Sequence, residues 1–184
     1  MSNRATGLTT WFGRVCGAWA RCRRGVTAIE AALVMPAFAL MTFGIIETAM
    51  LYFAAAALEG QVGEASRQIR TGNVQKSGDP AAEFRNLLCD QLGGLVRCSD
   101  VIIDVRRFNS FNSVNYPPYV DEDGMPSDAS FTPGGPGDVV LVRVTYRWQI
   151  LTPFLAYHLG DGGTSSKQLQ ALAVFRNEPY EGAL

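Results

Sequence analysis

Three observations predict an α+β protein built from a long N-terminal transmembrane helix and a small domain in which a short helix packs on an antiparallel sheet. An almost uninterrupted apolar run occupies residues 26–58. Alternating apolar and polar residues recur over 101–108, 139–149 and 169–175. A helix-entry signal, Asp79-Pro80, stands between these two regions. With 184 residues the chain has room for one core and not for two large ones.

The apolar run justifies the first element. Residues 31–46 carry no charge, Glu47 interrupts, and residues 48–58 are again uncharged. A bilayer core of about 30 Å needs about 20 helical residues, so the run spans with residues to spare. A secretory signal peptide has an apolar stretch of only about 7 to 15 residues before a small-residue cleavage site. Residues 54–57, all alanine, offer the alternative of such a site. Arg4, Arg14, Arg21, Arg23 and Arg24 all precede the run, which places the N-terminus in the cytoplasm and the body outside. Pro36 removes one helical hydrogen bond, and a kink is expected there. Gly44, Gly60, Gly63 and the many alanines suit close lateral packing, or are merely the ordinary content of a single-span anchor.

Two acids fall in this helix. Glu30 lies at its cytoplasmic edge, where the helix dipole alone would favour an acid. Glu47 is about 25 Å further along the axis, near the opposite interface, and on a different face. The two therefore form no general acid-base pair.

Charge divides the chain sharply. Overall it carries 16 Lys and Arg against 17 Asp and Glu, but residues 1–25 hold five of the arginines and no acid. Without them 11 basic groups face 17 acidic ones, a formal charge of −6. Such a body has no electrostatic reason to bind nucleic acid, which requires clustered Lys and Arg. The cysteines divide likewise, with Cys16 and Cys22 in the basic segment and Cys89 and Cys98 in the body. An exported Cys89 and Cys98, eight residues between them, can close a disulfide, the alternative being two free buried thiols. With one histidine, His158, and no C-x-x-C pair, no metal or cofactor is expected.

Past the membrane, Leu58, Val62, Ala65 and Ile69 continue a helical spacing to about Arg70, where Thr71-Gly72-Asn73 reads as a stop. Asp79-Pro80 then opens a short helix whose stripe is Phe84, Leu87, Leu88 and Leu92, ended by Gly93-Gly94. The alternating segments supply three strands. Residues 109–137, rich in Asn, Ser, Pro and Gly, read as a long surface loop. Within it Tyr116-Pro117-Pro118-Tyr119 is either a contact surface or a tolerated insertion. Asp121-Glu122-Asp123-Gly124 lacks the remaining ligands of a calcium loop. Asp161-Gly162-Gly163 is a turn without phosphate-binding character, and no enzyme is expected.

The string from Arg23-Arg24-Gly25-Val26 through Glu30 to Met35-Pro36, followed by Phe43-Gly44-Ile45-Ile46-Glu47, resembles the TadE-like family, minor pilins or pseudopilins of tight-adherence (Flp-type, type IVc) pili. Val174-Phe175-Arg176-Asn177-Glu178-Pro179-Tyr180 is similar to that family's closing motif. The resemblance implies a pilin-like helix and cleavage by a prepilin peptidase between Gly25 and Val26. It also implies that Glu30, fifth in the mature chain, is an assembly residue neutralising a neighbouring subunit's terminal amine. Ala31 stands where the major Flp pilin often has tyrosine, which favours a pseudopilin.

On this reading residues 1–25 are a cytoplasmic leader, 26–72 the transmembrane and extended helix, and 73–184 a periplasmic α+β domain. The implied function is assembly of an adhesive, biofilm-forming pilus. Its partners would be the prepilin peptidase, other pilins and pseudopilins, the inner-membrane assembly platform and membrane lipid. The alternative is an uncleaved, single-span periplasmic scaffold or binding module of the secretion machinery.

Overall fold

The structure, a computed structural model, describes residues 26–92, 94–114 and 128–180. The leader with Cys16, Cys22 and Gly25, the segment Tyr116–Tyr119 and the acidic run Asp121–Gly124 lie outside the described residues. Helix α1 runs from Val26 to Arg70. The chain divides into two compact units, the first ending at Ile45 and the second beginning at Ile46, inside this helix.

In the first unit α1 is apolar on every side. Ile29, Leu33, Val34, Met35, Phe38, Leu40, Met41, Phe43 and Ile45 are all exposed. A helix with no polar face is suited to lipid or to lateral packing against other helices. Helix continues through Pro36. The Thr42 hydroxyl donates back to the Phe38 carbonyl at 2.9 Å, which keeps that polar group satisfied without water.

The second unit is an α+β domain. Its described elements are the rest of α1, helix α2 (Pro80–Gln91), strands β1 (Val101–Phe108) and β2 (Val139–Gln149), helix α3 (Pro153–Leu159) and strand β3 (Ser166–Arg176). The sheet is antiparallel in the order β1-β2-β3, with Asp104 opposite Arg143 and Arg143 opposite Leu172. β3 begins three residues earlier than its apolar pattern suggests, because Ser166, Lys167 and Gln168 pair with Gln149, Trp148 and Arg147.

One sheet face meets both helices. From α1 come Leu51, Ala54, Leu58, Val62, Ala65 and Ile69, from α2 Phe84, Leu88 and Leu92, and from the sheet Val101, Val105, Val140, Val142, Val144, Tyr146, Leu169 and Ala171. The α1 stripe advances by three or four residues at each step, so a single side of the helix is buried. The short helix expected to pack on the sheet is present, and the distal part of α1 shares that role. Gly60 and Gly63 face open space, so the domain's own packing does not require them.

Helix ends follow the local sequence. Asp79 accepts from the Ala81 and Ala82 amides at 3.1 and 3.0 Å, with Pro80 at the first helical position. At the end of α1, Gly72 has φ +80°. Its amide donates to Ile69 O, and the Asn73 amide to Gln68 O, both at 3.0 Å, a paired closure that depends on a left-handed residue. The Tyr180 ring lies directly on Gly72, since a Cβ there would stand 2.5 Å from its Cγ. Gly72→Ala is therefore expected to combine a left-handed penalty of about 1 kcal/mol with displacement of Tyr180. The check is a urea midpoint lowered well beyond that of Gly63→Ala, where a Cβ meets nothing within 4 Å.

The 109–137 connection is more structured than its composition suggests. Ser130 O accepts from the Val105 amide at 2.7 Å and the Thr132 amide donates to Val105 O at 2.8 Å, so residues 130–132 lie along the edge of β1 away from β2. Phe131 meets Phe84 with ring centroids 5.7 Å apart. The returning arm of the loop thus belongs to the core.

Candidate functional site

The N-terminal end of α1 carries the residues singled out for processing and assembly. Gly25 is outside the described residues, and Val26 is the first described residue of the helix. Glu30 is the fifth helical residue and is exposed; the first turn contains no acid. Among the described residues the Glu30 carboxylate has no hydrogen-bond or ion-pair partner. An unpaired carboxylate on a helix that is otherwise apolar has to be hydrated or met by a cation from elsewhere.

Cys89 and Cys98 are joined as a disulfide, their Cα atoms 6.0 Å apart. The bond links the last turn of α2 to the entry of β1. Arg85 reinforces the junction by donating to Cys98 O and Val101 O at 3.0 and 3.2 Å. Closing so short a loop restricts the unfolded chain by about 2–3 kcal/mol in the chain-entropy view. The role is to fix how α2 enters the sheet.

Glu47 has a function that its position in the sequence did not disclose. Its carboxylate accepts from the Leu151 amide and, at 2.9 Å, from the Thr152 amide, more than a hundred residues away. Thr152 is the N-cap of α3 and makes no side-chain cap of its own. Glu47 supplies the cap instead, and the two amides satisfy an acid that would be costly near a bilayer.

A buried acid organises the opposite sheet face. Asp104, 2% exposed, accepts from Arg143 Nη2 at 2.8 Å, from Arg106 Nε at 2.9 Å and from the Ser130 amide at 3.0 Å. Arg106 also donates to the Asp128 carbonyl. Burial alone would push the Asp104 carboxyl up, but the hydrogen bonds from Arg143, Ser130 and Arg106 and the Arg106 charge outweigh it and hold it below the usual carboxylate range.

The closing motif clamps the end of α1. Arg70 Nε and Nη2 both donate to Glu178 Oε1, at 3.1 and 2.9 Å, while the Glu178 amide donates to Arg70 O at 2.9 Å. Asn177 Nδ2 donates to Pro133 O and Gly135 O, each at 3.0 Å. Asn177, Glu178 and Tyr180 thereby connect the helix stop to the 133–137 turn.

Among the described residues no group of three or more His, Cys, Asp or Glu side chains is placed to hold a metal ion. His158 sits between aromatic rings, its centroid 4.7 Å from that of Phe154 and 5.1 Å from that of Tyr157. Asp161 accepts from Lys167 Nζ and, at 2.7 Å, from the Gln168 amide, which fits the expected turn.

These features define a class of protein: among the described residues, one helix long and apolar enough to cross a membrane, leading into a small disulfide-bonded α+β domain. Residues 25–67 match the family model described as TadE-like protein, the family the sequence resembles, and the likeness points to association with a tight-adherence pilus. No curated protein and no solved structure matches the chain. The matched segment ends before the closing motif Val174–Tyr180, whose resemblance rests on its residues alone.

Proposed function

We propose that the chain is a minor pilin, or pseudopilin, that takes part in assembling a Flp-type tight-adherence pilus used in surface adhesion and biofilm formation. The observation that carries this reading is that the family match opens at residue 25, at the Gly25-Val26 junction, with Glu30 fifth from that junction. Cleavage after Gly25 by a prepilin peptidase would free the Val26 amine at the head of an apolar helix. The Glu30 carboxylate, without a partner among the described residues, would pair with the corresponding amine of a neighbouring subunit.

The arginines of residues 1–25 orient the anchor in the inner membrane, N-terminus in the cytoplasm and domain in the periplasm, with passage into the pilus after processing. Partners are the peptidase, other pilins and pseudopilins, the inner-membrane assembly platform and surrounding lipid. The protein works by contact and not by catalysis.

Intact-mass and N-terminal analysis of the membrane fraction from cells making the pilus tests the reading. A chain beginning at Val26 is expected. An unprocessed chain in cells that process their other pilins would favour the anchored scaffold.

A further inference from the structure

We propose that the β2–β3 connection is a membrane-interface contact, in which Leu151, Phe154 and Tyr157 seat among the lipid headgroups of the bilayer that α1 crosses, held at that level by Glu47. The inference rests on the reading of α1 as a membrane anchor.

Four observations carry it. Leu151, Phe154 and Tyr157 are 86%, 67% and 84% exposed, far more than large apolar side chains of a closed domain need to be. Residues 150–160 contain no Asp, Glu, Lys or Arg, in a chain with 33 such residues among its 184 by the totals of 16 and 17. A connection presented only to water would ordinarily be polar. Its Tyr157 and His158 are amphipathic ring types suited to the boundary between hydrocarbon and water.

The fourth observation sets the height. Residues 27–46 make a helix about 30 Å long, the thickness of a bilayer core, so Glu47 is the first residue beyond a span that starts at Thr27. The Glu47 carboxylate holds the Leu151 and Thr152 amides. The exposed apolar group therefore begins at the residue where the hydrocarbon ends. A lipid interface accepts apolar side chains and ring edges there without demanding a shaped pocket, which is why lipid is the occupant that fits. The contact would give the domain a second point of attachment besides the helix itself.

The test uses the full chain in phosphatidylethanolamine and phosphatidylglycerol vesicles, with Cys16 and Cys22 replaced by serine and the Cys89–Cys98 bond left oxidised. An environment-sensitive fluorophore is placed by Tyr157→Cys, by Leu33→Cys within the anchor, or by Asp90→Cys on the exposed side of α2. Nitroxide lipids labelled at the headgroup or deep in the acyl chain act as quenchers. The expected result is about a two-fold loss of Tyr157-site emission with the headgroup quencher, deep quenching at the Leu33 site, and none at the Asp90 site. Glu47→Ala should weaken quenching at the Tyr157 site and leave the Leu33 site unchanged.

A quenched Leu33 site beside an unquenched Tyr157 site overturns the inference and leaves the anchor intact. Burial of the Tyr157 site that depends on protein density in the vesicle, and not on the quencher, would assign the surface to a second protein chain and overturn it as well. An unquenched Leu33 site would remove the anchor reading and this inference with it. If Glu47→Ala fails to fold, the Tyr157 measurement in the otherwise native chain still decides.

Discussion

Asp104→Ala is expected to destabilise the domain by about 3–5 kcal/mol, a large share of the 5–15 kcal/mol that ordinary domains possess. The substitution leaves Arg143, 3% exposed, without the carboxylate it donates to at 2.8 Å. It also removes the acceptor of the Ser130 amide and of Arg106, so the arm that pairs with Val105 loses its anchor. The acid limb of stability gives an independent check. The folded-state carboxyl of Asp104 lies below its ordinary value of 3.8, so its contribution is fully present above that pH. It is lost as pH falls through the lower folded value, and wild type should therefore lose stability progressively below about pH 4. Asp161, also held low by Gln168 and Lys167 against the opposing effect of burial, adds to the same limb. Urea midpoints of the detergent-solubilised chain from pH 6 downward should show a shallower acid slope in Asp104→Asn than in wild type. Equal slopes would mean that Asp104 is not held low.

Gly25→Ala is expected to abolish leader removal almost completely, giving a chain larger by the leader on a denaturing gel. Under the proposed function the peptidase must approach the backbone closely at this junction, and a residue without Cβ permits that approach. Glu30→Ala separates the two steps: its chain should mature at the normal size while less of it enters sheared pili. A normal-size band from Gly25→Ala would remove the processing claim. Equal pilus incorporation by Glu30→Ala would remove the pairing claim alone.

The parts of the fold legible in the sequence were those with a local signal. Gly72 announced its left-handed turn, Asp79-Pro80 its helix start, and the valines of β2 their alternation. Thr152-Pro153 carries the same kind of entry signal, yet the helix is only seven residues long and its cap comes from Glu47. No pattern near residue 152 could reveal a partner 105 positions away. The same holds for Asp104 and Arg143, which read as ordinary polar positions of two strands until the register sets them opposite each other. Phe131 lay inside a segment whose glycines and prolines signalled only a loop. For the candidate site, the role given to Glu30 rests on the resemblance, and the Cys89–Cys98 bond was legible as one of two options for the pair. Glu47 was not, because what it holds is formed by a different part of the chain.

The clamp between Arg70 and Glu178 has a consequence for the order in which the molecule comes into being. Its two halves are separated by 108 residues, and α1 is synthesised long before its partner. Throughout that interval the stripe from Leu51 to Ile69 has no sheet to lie against, since β2 and β3 follow it by some seventy residues or more. A nascent chain therefore displays an uncovered apolar ridge over this half of α1. Because contacts this distant in sequence form slowly, that ridge is the stage of biogenesis most exposed to proteases and to mispairing with other half-made subunits.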